Sequence, residues 1–123
     1  MEYLLLIYTP ADAPAREGDD AQAMFAEFGR YTQSIQEAGA MVGGDPLQPP
    51  EMATTVRSEN GEILTTDGPF AETKEWLGGY YKIDVETLDE ALDWAGRIPS
   101  VKYGDRVEVR PVMPLPADYA SAG

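Results

Sequence analysis

Glu2-Tyr3-Leu4-Leu5-Leu6-Ile7-Tyr8 is a nearly continuous apolar run that closes at Thr9-Pro10. Strict alternation would mark a strand with one face in water. Continuity marks a strand covered on both faces, so these residues predict the central strand of a sheet. The segment that follows, with Pro10, Pro14 and Gly18 as breaks, reads as a loop long enough to act as a flap.

From Asp19 or Asp20, either of which suits a helix cap, Ala21, Met24, Phe25, Phe28, Tyr31, Ile35 and Ala38 recur at helical spacing. They form one apolar stripe, read as core with a ligand cavity lined by Phe25, Phe28 and Tyr31 as the less favoured alternative, and Gly39 stands where a left-handed terminating residue is expected. Ala40 to Val42 is a short strand, and Gly43-Gly44-Asp45-Pro46 reads as a bend leading to Pro49-Pro50. Asp45 is a turn residue in this reading, with a catalytic carboxylate as the alternative.

Thr54 to Ser58 and Glu62 to Thr66 flank Asn60-Gly61, the dipeptide that favours a two-residue hairpin. With that turn, Glu59 pairs with Glu62, Ser58 with Ile63, Val56 with Thr65 and Thr54 with Asp67. Paired residues share a face, so Asp67 points to the side of Val56 and Ile63, while Arg57 and Leu64 take the other. A bulge would reverse this assignment.

Leu77 to Val85 forms the next strand, with Leu77, Gly79, Tyr81, Ile83 and Val85 on the packed face and Gly78, Tyr80, Lys82 and Asp84 opposite. Adjacent glycines inside a strand suggest a bulge or a close approach. Thr87-Leu88-Asp89-Glu90 is a capping box for a second helix that buries Leu88, Ala91, Leu92, Ala95 and Ile98 before Pro99. After the loop from Ser100 to Asp105, Arg106 to Arg110 forms a last strand with Val107 and Val109 inward. Residues 1–112 thus make one domain, and 113–123 an extended tail that frays at its end. The element order β, α, short β, hairpin, β, α, β predicts an α+β fold, a ferredoxin-like antiparallel sheet with two helices on one face. A sheet covered on one side leaves an apolar face, so a face-to-face homodimer is expected.

The chain of 123 residues has 22 acidic and 9 basic residues, a formal charge of −13. Such a charge repels phosphate backbones and anionic membranes, so neither nucleic acid nor membrane is expected as a partner. Without a basic segment leading into an apolar run, a cytoplasmic location is expected. There is no cysteine and no histidine. Ser-His-Asp and Cys-His machinery and thiol redox chemistry are therefore excluded, and any acid or base must be Asp, Glu, Lys or Tyr. A metal site would have to be built from oxygen ligands, and the twelve-residue calcium loop pattern does not occur, so none is expected; no cofactor is expected either.

Thr66-Asp-Gly-Pro-Phe-Ala-Glu-Thr-Lys-Glu75, Leu77-Gly-Gly-Tyr-Tyr81, Leu88-Asp-Glu-Ala-Leu92, Trp94-Ala95, Ile98-Pro99 and Val107-Glu-Val-Arg-Pro111 resemble the DGPF-domain branch of the YCII-related proteins. The resemblance runs from Leu4 to Val112. It implies a dimeric α+β barrel, members of largely uncharacterised activity, and genes often associated with extracytoplasmic-function sigma factors. The wider superfamily has been thought enzymatic because of a histidine and aspartate pair. This chain has no histidine with which to form that pair.

The candidate site follows from the signature. Asp67-Gly68-Pro69 has the chemistry of an Asx-type turn, while an inward Asp67 needs a partner or a raised pKa, so a turn and a catalytic carboxylate are the two readings. Phe70 is read as a plug for the loop that also borders a ligand. Arg57, Lys74, Lys82, Arg106 and Arg110 are five of the nine cations, and they either pair with Glu72, Asp84 and Glu108 or line an anion site. Of Tyr80 and Tyr81, one belongs to the core and the other is free to donate a hydrogen bond. The resulting expectation is a cleft beside the Asp67–Phe70 loop that binds a compact, anionic metabolite. Asp67 would be general base, and Phe70, Lys74, Tyr80, Lys82, Arg57 and Arg110 would contact the ligand. The alternative is a regulatory module tied to sigma-factor signalling.

Overall fold

The computed structural model describes residues 1–69 and 74–119. Its elements are β1 (Glu2–Pro10), α1 (Gly18–Glu37), β2 (Met41–Pro46), β3 (Thr54–Glu59), β4 (Glu62–Asp67), β5 (Glu75–Asp84), α2 (Leu88–Gly96) and β6 (Arg106–Pro111). Four strands form a sheet in the order β2-β5-β1-β6, with every neighbouring pair antiparallel. β1–α1–β2 and β5–α2–β6 are two interleaved split βαβ units, which is the ferredoxin-like arrangement. β3 and β4 form a separate two-stranded sheet inserted between β2 and β5.

β1 takes the central position expected of it, between β5 and β6, but only one of its faces is enclosed: Leu4, Leu6 and Tyr8 on the other are half-buried. Tyr3, Leu5 and Ile7 are buried against Tyr31 and Ile35 of α1 and Ala91 and Ala95 of α2, so both helices lie over one face. Leu5, Ile35 and Ile83 are fully enclosed, each contributing roughly 1.5–3 kcal/mol by burial. Tyr31 joins the layers: its ring meets Tyr81 and Trp94 edge-on, and its hydroxyl donates to the Trp94 carbonyl at 2.7 Å.

α1 ends at Ala38, with Gly39 at φ +74° supplying the left-handed residue. Its start differs from expectation: Glu17 is the N-cap, without a side-chain bond, and Asp19 and Asp20 lie in the first turn. There their charges still complement the helix dipole. α2 begins as expected, with Thr87 accepting from the Glu90 amide at 3.2 Å. Its buried stripe is narrower, however. Ala91, Ala95 and Ile98 are enclosed, while Leu88, at the first position of the helix, and Leu92, to one side of the alanine line, remain exposed.

Two strand readings are also corrected. Gly43-Gly44-Asp45-Pro46 is not a bend but part of β2, paired to β5. A Cβ on Gly44 would stand 2.7 Å from the Tyr80 carbonyl oxygen, so only glycine allows the strands to meet there. In β5 the expected bulge occurs: Ile7 pairs with Gly79 and Tyr8 with Leu77, leaving Gly78 as the extra residue. Pairing with Tyr8 takes Leu77 off the packed face. Trp76, opposite Thr9, occupies that face instead.

Candidate functional site

The bulge opens the helix-covered layer at one end. Beneath the N-terminal half of α1 lies a cleft of about 560 Å³. Ile7, Thr9 and Trp76 come from the sheet, Met24, Phe25 and Phe28 from α1, and Met41 from β2. Gly44 and Gly79 lie where β2 and β5 close together, and Arg16 comes from the loop before α1. Phe25 is 73% exposed, so the stripe read as core becomes the rim of the cleft at this turn.

Ser100 and Asp105 complete the lining from the loop between α2 and β6. They are 1% and 7% exposed, and among the described residues Ser100 Oγ and Asp105 Oδ1 have no hydrogen-bond partner. The backbone holds this loop firmly. Asp105 and Tyr103 amides donate to the Ser100 carbonyl at 3.3 and 3.0 Å, and Gly104 at φ +104° reverses the chain.

Thr32 Oγ1 and Tyr81 Oη lie 2.7 Å apart in the same wall. Burial raises the Tyr81 pKa above the ordinary value, against a smaller opposing effect of the Thr32 bond. Burial also holds Tyr31 well above the tyrosine range, with Tyr81 adding to the shift. Both hydroxyls therefore remain neutral near pH 7 and serve as hydrogen-bonding groups. Arg16 is exposed, with its guanidinium 5.4 Å from the centre of the Tyr103 ring.

Of the ligand contacts named from sequence, Tyr80 belongs to this lining, and so does Asp45, read there as a turn residue or a carboxylate. Pairing opposite Leu6 sends the Tyr80 side chain to the open face, where the hydroxyl donates to Asp45 Oδ2 at 2.8 Å. That bond raises the Tyr80 pKa, and the charge of Asp45 adds to it. Lys82 bonds Glu2 at 3.5 Å on the same open face. Arg110 pairs with Glu108, Arg57 with Glu59 at 3.6 Å, and Arg106 with Glu75 at 3.2 Å. These cations are thus distributed among surface ion pairs. Lys74 is exposed, and its carbonyl accepts from the Ala11 amide at 2.7 Å. Phe70 and Glu72 lie outside the described residues.

Asp67 differs from its expected environment. The hairpin register is as derived, Thr54 pairing with Asp67 and Val56 with Thr65. The face it shares with Val56 and Ile63 is exposed, however, at 63% and 69% for those two apolar residues. An inward-pointing Asp67 presupposed a packed hairpin, and this hairpin projects from the main sheet. Sequence reading missed Ser100 and Asp105 because it took them only as loop ends. Among the described residues, no group of three or more Asp and Glu side chains is gathered as metal ligands.

Fold and cleft together define a ferredoxin-like α+β protein with an apolar-walled recess beneath its first helix. The YCII-related domain model matches residues 1–116, and the chain belongs to the YCII-related family. It is also 35% identical over 114 residues to an uncharacterized protein of Rhizobium meliloti, covering 91% of this chain and 92% of that relative. No helix among the described residues is long and apolar enough to cross a membrane.

Proposed function

We propose that this YCII-related protein binds a compact, largely apolar small molecule in the cleft beneath α1. The supporting observation is the pair of enclosed, unpartnered polar groups, Ser100 Oγ and Asp105 Oδ1, in a wall whose apolar part is built from Ile7, Met24, Phe28, Met41 and Trp76. A buried polar atom left unpaired costs about 1–3 kcal/mol. A ligand that meets both atoms offsets that cost, and the volume is in the range of small-molecule sites. An anionic part of the ligand would find Arg16 at the rim. The Ala11–Lys74 backbone bond supports a link between the Arg16 loop and the end of the signature.

Cofactor-free acid–base chemistry is the catalytic extension of this reading. Asp105 takes the role first assigned to Asp67, since its carboxylate is enclosed and adjoins the recess. A homodimer through the open sheet face belongs to the same proposal, supported by the half-buried row Leu4, Leu6 and Tyr8. Placement in the DGPF branch rests on the signature residues themselves. The alternative, a regulatory module tied to sigma-factor signalling, draws on the exposed Val56 and Ile63. Ligand-observed NMR with a set of aromatic fragments separates the readings. Fragments should bind the parent protein and lose binding in Ala21→Trp, which fills the recess from α1. Unchanged binding in that variant refutes the assignment.

A further inference from the structure

Apolar walls select the body of a ligand, whereas the polar groups within them select its functional group. Here Asp105 and Ser100 belong to the lining, and Asp105 Oδ1 and Ser100 Oγ are both enclosed and both without a partner among the described residues. A carboxylate accepts hydrogen bonds and cannot donate one, and a hydroxyl beside it can do either. An anionic group brought to Asp105 would meet like charge in a poorly solvated place. A protonated amine would complete the unpaired oxygen with a charge-assisted bond.

Two features reinforce that choice. Arg16 is the one cationic side chain among the described lining residues, and it lies in water at the rim rather than beside the buried carboxylate. The chain also carries a formal charge of −13, which favours cations over anions around the protein as a whole. Resting on the reading that the cleft is a ligand site, we infer that the ligand is an amine: an apolar, aromatic-sized body bearing a protonated nitrogen that donates to Asp105 and Ser100.

Three probes of matched size test this with the full chain: phenethylamine, hydrocinnamate and the neutral propylbenzene, followed by saturation-transfer NMR. The amine should bind about tenfold or more tightly than the carboxylate, the range expected of a charge-assisted bond. Asp105→Asn should abolish that preference while leaving propylbenzene binding unchanged. Glu62→Gln removes the same charge from the hairpin surface and should preserve the preference, which separates a specific bond from the general field. Equal binding of amine and carboxylate, or a preference that survives Asp105→Asn, overturns the amine assignment while propylbenzene binding leaves the cleft intact. Failure of all three probes to bind overturns both readings. Should Asp105→Asn not fold, Ser100→Ala serves instead: a reduced amine preference supports the assignment, and an unchanged one overturns it.

Discussion

The inserted hairpin and the cleft differ in how they are made. β3 and β4 pair through a turn whose two residues, Asn60 at φ +53° and Gly61 at φ +83°, both occupy the left-handed region. Everything needed is contained in about a dozen residues, and the result projects from the sheet with Val56 and Ile63 in water. The cleft instead needs β1, β2, β5, α1 and the loop after α2 to arrive together. Local pairing makes a precise but open element, whereas enclosure comes from contacts distant in sequence. A motif dense in charged residues is therefore a poor guide to where a ligand can be surrounded.

The largest expected contrast sets core against hairpin. Ile83→Ala removes a fully enclosed side chain and should cost roughly 2–5 kcal/mol in urea unfolding. Ile63→Ala, at an exposed site, should change stability by less than about 0.5 kcal/mol. An Ile63→Ala cost close to the Ile83→Ala value would break the comparison, because it would mean that the hairpin face is covered in solution. Next in size is Gly44→Ala, which drives a methyl toward the Tyr80 carbonyl and should cost about 1–3 kcal/mol. It should also weaken probe binding in the cleft, since β2 must shift away from β5. Smaller again is Gly61→Ala, placed at positive φ, which should lose about 1 kcal/mol with cleft binding unchanged. Thr87→Ala removes the α2 cap and should lose about 1 kcal/mol by the same measurement.

Much of the fold was legible because its signals are periodic or local. The apolar run from Glu2 to Tyr8, the helical stripe ending at Gly39 and the Asn60-Gly61 turn each specify an element within a short window. The glycine pair at Gly78-Gly79 announced a bulge, yet not its consequence for Leu77 and Trp76, because the slip depends on where β1 meets β5. The division of Tyr80 and Tyr81 between faces was readable from alternation, and Tyr81 is the buried one. Ser100 and Asp105 were opaque for a different reason. Nothing in Ser100-Val101-Lys102-Tyr103-Gly104-Asp105 marks the enclosure that the folded chain gives both end residues. Asp67 carried the opposite error, since its face was right and the cover for that face was assumed.

The central claim is that the cleft, and not the signature hairpin, is where a ligand binds. Amide chemical-shift mapping of the labelled protein during a phenethylamine titration tests it directly. The account predicts that the perturbed amides cluster at Thr32, Gly79, Ser100 and Asp105, with residues 54–68 unmoved. Perturbations concentrated between Val56 and Gly68, with Ser100 and Asp105 silent, would contradict it.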